Sequence, residues 1–133
     1  SHAEGIRTNI WYAVTSVWRG SDLLDSNLNK LPAYYAFDFA EDMLNQSWFK
    51  RHLGDYPKYK GLEFERSDKN IWILWSTSLD DPDGDGYGDI LPVTITLPST
   101  PSKVYTVIGN EVTNFSGTTL QLTAEPVYIV WDK

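Results

Sequence analysis

The sequence contains no cysteine. Disulfides, thiolate nucleophiles and sulfur-ligated zinc are therefore excluded together, and the redox compartment is left open. Histidine is nearly absent as well, with only His2 and His52. A Ser-His-acid triad or a histidine-built zinc site has almost nothing to work with. No apolar run approaches the roughly 18 to 20 residues that span a bilayer as a helix. No glycine-rich phosphate loop or dinucleotide fingerprint occurs. Basic residues are in deficit, 11 against 18 acidic, and the resulting charge of −7 repels phosphate backbones and anionic lipid. Neither nucleic acid nor membrane is expected as a partner.

What is present suffices for one folded domain. The 133 residues are 41% hydrophobic and include 19 aromatic side chains (6 Trp, 8 Tyr and 5 Phe), which argues against disorder and for a real core. The N-terminus reads as carrying no signal peptide, and Ser1-His2 resembles the scar of a cleaved tag, so the chain is expected to have been trimmed from something longer.

Residues 8 to 18, TNIWYAVTSVW, are apolar at nearly every position, the pattern of a strand buried on both faces. A polar loop follows, and Pro32 stands where a first helical position is expected. From Ala33 to about Phe49 the apolar residues Ala36, Phe39, Ala40, Met43 and Leu44 form a helical stripe. Tyr34, Tyr35 and Phe37 lie beyond that stripe, so the helix calls for partners on two sides. After Asp55 the periodicity becomes two, with strands expected at 61–66, 71–78, 91–97, 103–108, 111–114, 118–123 and 127–131. Turn residues fall at 67–70 and at Gly109-Asn110. The fold expected is mainly β: an antiparallel, immunoglobulin-like β-sandwich of seven or eight strands with one N-terminal α-helix. Residues 1–53 form its strand, loop and helix, residues 54–133 its sandwich, and the two pack as one unit.

The segments IWYAVTSVW (10–18), LPAYYAFDFAEDML (31–44), KGLEFERSDKNIWILWS (60–76), LPVTITLP (91–98), KVYTVIGNEVT (103–113) and LQLTAEPVYIVW (120–131) follow one another in a familiar order. Together they resemble the C-terminal end of retaining glycoside hydrolases of the (β/α)8-barrel clan, of the β-xylosidase and α-iduronidase type. The resemblance implies the last barrel strand and helix followed by an appended β-sandwich, in a secreted bacterial enzyme acting on a polysaccharide or glycoside. It implies that the catalytic carboxylates lie upstream, after the fourth and seventh barrel strands, and that this chain alone has no catalytic residues. Its partner would be the barrel of the same protein, and Trp18, at the end of the eighth strand, would then wall a sugar subsite.

Within the chain, the carboxylates best spaced for glycoside hydrolysis are Glu63 and Glu65, on one face of one strand about 7 Å apart. Simple alternation also produces such a pair, and a solvated strand face is the expectation. His52 is read as a surface or helix-end residue.

The most specific chemical pattern is DDPDGDGYGD at 80–89, which carries five carboxylates in ten residues. Counted from Asp81, acids stand at positions 1, 3, 5 and 9, with Gly86 at position 6, as in most of an EF-hand loop. Alternate residues of a tight loop turn their oxygens inward, and glycine permits the turn. Pro92 occupies position 12, where an EF-hand has its bidentate glutamate, so the loop is of another type. A calcium ion held by Asp81, Asp83, Asp85, Asp89 and the Tyr87 carbonyl is the expectation. The remaining question is whether the aromatics form a sugar-binding platform, as in an independent carbohydrate-binding or adhesion module. Trp72, Trp75, Tyr105, Tyr128 and Trp131 lie in expected strands, where burial is the commoner fate.

Overall fold

The computed structural model describes residues 22–133. The strand expected at 8–18, and Trp18 with it, lies outside the described residues. The described residues begin with a turn closed by Asp25, whose carboxylate accepts the backbone N–H groups of Asn27 (2.8 Å) and Asn29 (2.9 Å). It leads into α1 (Pro32–Leu44), with proline at the first position, where a missing N–H costs nothing.

The helix ends at Leu44, not near Phe49. Gln46 adopts a left-handed φ of 58°, and the Ser47 hydroxyl donates to the Leu44 carbonyl at 2.6 Å. Arg66 then satisfies two further terminal carbonyls, donating through Nη1 to Asp42 O and Met43 O at 3.1 Å each. Replacing Arg66 with alanine leaves the part-buried Met43 carbonyl without this donor and returns the exposed Asp42 carbonyl to water. A loss of about 1–2 kcal/mol is expected in urea unfolding, with faster amide exchange confined to the last turn of α1.

The chain continues as β1 (Trp48–Asp55), β2 (Tyr59–Glu65), β3 (Lys69–Ser76), β4 (Ser78–Asp80), β5 (Asp89–Leu91), β6 (Val93–Thr96), β7 (Lys103–Thr106), β8 (Thr119–Leu122) and β9 (Val127–Asp132). All pairings are antiparallel, in a five-stranded sheet ordered β1-β2-β3-β9-β7 and two-stranded sheets β4-β5 and β6-β8. The described chain is thus mainly β with one N-terminal helix. β1 was hidden in the sequence because a bulge between Phe49 and Arg51 breaks its two-residue alternation. Pro92, which has no N–H for a ladder, divides the stretch expected as one strand into β5 and β6, and these join different sheets. The strand expected at 111–114 is reduced to a single bridge between Glu111 and Tyr105 along β7.

Strand alternation gives the large sheet two apolar faces. Phe64, Ile71, Ile73, Tyr128 and Val130 meet Met43, Phe39 and Leu44 of the helix. Leu74, Val104 and Ile129 meet Leu120 and Leu122 of β8, Leu97 and the half-buried Ile95 of β6. The result is a β-sandwich, five strands against two, with α1 laid on its outer face. Trp72 and Trp131 stack edge to face, 5.0 Å between ring centres, and pack with Trp75, Tyr105 and Tyr128 into these cores, as the sequence suggests.

Candidate metal centre

The 80–89 segment is the tip of a hairpin. β4 and β5 pair Ser78 with Leu91, Leu79 with Ile90 and Asp80 with Asp89, and the intervening loop projects beyond the last pair. Glycine is required here for two different reasons. Gly84 and Gly86 have φ of 73° and 86°, which only glycine adopts freely, although a Cβ at either would meet nothing within 4 Å. At Gly88 space decides, because a Cβ would lie 1.9 Å from the Asp80 carbonyl oxygen.

Asp81 organises the loop. Its carboxylate accepts the backbone N–H of Gly86 at 2.9 Å and of Asp85 at 3.1 Å. The Gly86 bond is the main reason that its pKa lies below the ordinary aspartate value; desolvation opposes the shift, and Asp83 and the Asp85 amide add to it. Asp85 in turn accepts the N–H of Tyr87 at 2.9 Å. Carboxylate oxygens of Asp81, Asp83 and Asp85 thereby converge within 4.8 Å of one another. A calcium ion takes oxygen ligands at about 2.3–2.6 Å, so two of them can stand up to about 5 Å apart across it. The three aspartates fit such an ion.

Of the other expected ligands, Asp89 lies outside this 4.8 Å cluster, on β5 across from Asp80. Tyr87 uses its N–H within the loop, and its side chain is 81% exposed at the tip. The sequence reading also missed that Asp80 and Asp89 oppose each other directly. Like charges at such a cross-strand position are unfavourable. The signal was the matched spacing of two acids around a loop.

Glu63 departs from expectation. It is buried, not solvated, because the bulge in β1 sets both Lys50 and Arg51 against it. Arg51 Nε donates to one of its oxygens, Asn70 Nδ2 donates to the other at 3.1 Å, and Lys50 Nζ lies 3.8 Å away. The buried indole N–H of Trp72 lies beside the carboxylate without closing a hydrogen bond of good geometry. Burial pushes the Glu63 carboxyl up, but the bonds from Arg51 and Asn70, with Trp72 and the Arg51 charge, outweigh it and hold the pKa below its ordinary value. Glu65 is also lowered, chiefly by Lys133, whose ammonium donates to it at 2.7 Å. This is the reverse of the raised pKa a general acid requires. His52 is exposed on β1, a surface residue as expected and not a helix-end one, with its ring 5.1 Å from that of Phe49.

Among the described residues no helix is long and apolar enough to cross a membrane. Compared with protein-family models, curated proteins and solved structures, the chain matches none of them.

Proposed function

We propose that this chain is a non-catalytic accessory β-sandwich of a secreted glycoside hydrolase, stabilised by one calcium ion in the β4–β5 loop. The observation that carries the calcium part is the convergence of Asp81, Asp83 and Asp85. A loop that gathers carboxylates on a flexible, glycine-rich backbone suits calcium better than magnesium, which demands near-ideal octahedral geometry and gives up its water reluctantly. The accessory role rests on the resemblance of six segments to the tail of barrel-type hydrolases. Three further observations support it. Glu63 and Glu65 are engaged by Arg51, Lys50 and Lys133. Large apolar side chains at Leu28, Tyr35, Phe37 and Trp48 are exposed in the stretch that would face a barrel. Among the described residues, the helix and strands β6 and β8 pack on the two faces of the large sheet.

A second reading is an independent carbohydrate-binding or adhesion module, favoured by the exposed rings of Trp48, Tyr56 and Tyr87. Glycan-array binding separates the two. The accessory domain should bind no sugar alone, whereas the module should retain binding that falls on replacing one of these rings with alanine.

The calcium ligands are tested by thermal unfolding with and without the ion. At a calcium concentration 100-fold above Kd, a gain of about 2.7 kcal/mol is expected, reversed by EDTA. Asp81→Asn should abolish the gain, since it removes a ligand charge and one ligand oxygen while leaving the other oxygen to accept one of the two loop amides. An equal gain in wild type and variant would remove Asp81 from the site.

A further inference from the structure

The chain contains two Asp-Gly bonds, Asp83-Gly84 and Asp85-Gly86, and both lie in this loop. Such bonds are the ones most open to succinimide formation, because glycine places no side chain in the way of the attacking amide nitrogen. The structure treats the two very differently.

At Asp85-Gly86 both reacting groups are held. The Gly86 N–H, whose nitrogen would attack, is donated to Asp81 Oδ2 at 2.9 Å. The Asp85 carboxylate, which would be attacked, accepts the Tyr87 N–H at 2.9 Å. At Asp83-Gly84 the restraint is weaker. The Gly84 N–H donates to the Asp81 carbonyl at 3.4 Å, the longest of the loop's hydrogen bonds, and adds only a minor share to the lowering of the Asp81 pKa, whereas the Gly86 N–H is its main cause. Exposure and open space at the glycine are the same at both bonds, so the hydrogen bonds make the difference.

The geometry points to Asp83 as a site of spontaneous isomerisation that inactivates the metal loop with age, while Asp85 is protected. In the reaction the Gly84 nitrogen loses its proton and bonds to Asp83 Cγ, and a carboxyl oxygen leaves as water. Water then opens the five-membered ring. Attack at the former main-chain carbonyl carbon breaks its bond to the Gly84 nitrogen, so the chain now runs through Cγ and that carbonyl becomes the free carboxylate. The product has the mass of the original, one extra carbon in the backbone and a side chain one carbon shorter. The Asp83 oxygens are thereby withdrawn from the cluster with Asp81 and Asp85.

The choice between the two bonds follows from the hydrogen bonds alone. That calcium slows the reaction, by fixing the Asp83 carboxylate, rests on the function proposed above. The experiment separates them. The full chain is incubated for weeks at mildly acidic to neutral pH with EDTA or with calcium, and isoaspartate is located by peptide mapping with electron-transfer fragmentation. In EDTA, isoaspartate at position 83 should exceed that at 85 several-fold, and Asp81→Ala, which frees the Gly86 N–H, should raise position 85 by a similar factor. Equal amounts at both positions, an excess at 85, or none at either overturns the assignment. Calcium should lower the yield at 83 several-fold; selectivity for 83 with no calcium effect would strike at the metal reading while leaving the site standing.

Discussion

Replacing Phe64 with alanine should lower stability by about 3–5 kcal/mol, the largest loss expected of any single truncation among the described residues. Phe64 is 1% exposed and sits mid-sheet on β2, between β1 and β3, on the face covered by α1. Its ring lies 5.8 Å from that of Phe49, and its cluster includes Met43, Ile71 and Ile73. Close packing on both sides leaves little room for collapse, so both the transfer and the cavity contributions are lost. Against a total of about 5–15 kcal/mol for an ordinary domain, such a loss brings the midpoint down by on the order of 10–20 °C. Phe64→Leu, which keeps most of the volume, should cost about 1.5 kcal/mol or less. Urea unfolding at constant slope measures both. A cost for alanine no larger than for leucine would mean that α1 does not close over this face.

The second large effect is expected at Glu63, and it should depend on pH. Glu63→Ala removes the acceptor for Arg51 and for Asn70. Arg51 is 61% exposed and can return to water, so the loss falls short of that for a fully buried pair, at about 1–3 kcal/mol. The folded pKa of Glu63 lies below its unfolded value, so its ionisation stabilises the fold above the unfolded pKa. That contribution is lost as pH falls through the folded pKa. Glu63→Gln should therefore be most destabilising near neutrality and approach wild type in stability at low pH. Denaturation midpoints from pH 7 down to the acid transition check this; a difference that does not change with pH would show that the carboxylate's charge contributes nothing.

Glu63 also shows where sequence reading reached its limit. Alternation in GLEFER correctly predicts β2, and it places Glu63 and Glu65 together on one face. It does not say whether that face is wet. Lys50 and Arg51 decide it, and they lie on a strand that the sequence disguised as the end of a helix. A bulge is a local irregularity that period-counting cannot detect, and the αL residue at Gln46 that ends α1 is not a glycine. Conversely, β3 and β9 were legible because continuous apolar runs such as IWILW and VYIVW have one physical outlet, a strand buried on both faces. The aspartate triad was legible for a similar reason. Positions 81, 83 and 85, with Pro82 and Gly84 interposed, turn their side chains to one side of a tight loop, and only the placement of Asp89 required knowing where β5 begins.

The central claim is that the β4–β5 loop holds calcium. Its most direct test is calorimetric titration of calcium into the metal-free chain, paired with amide chemical shifts read at each residue. Saturable binding of one ion, with shifts concentrated at residues 80–89 and lost in Asp81→Asn, is the result predicted. No heat and no shifts at millimolar calcium, or shifts centred elsewhere on the sandwich, would contradict it.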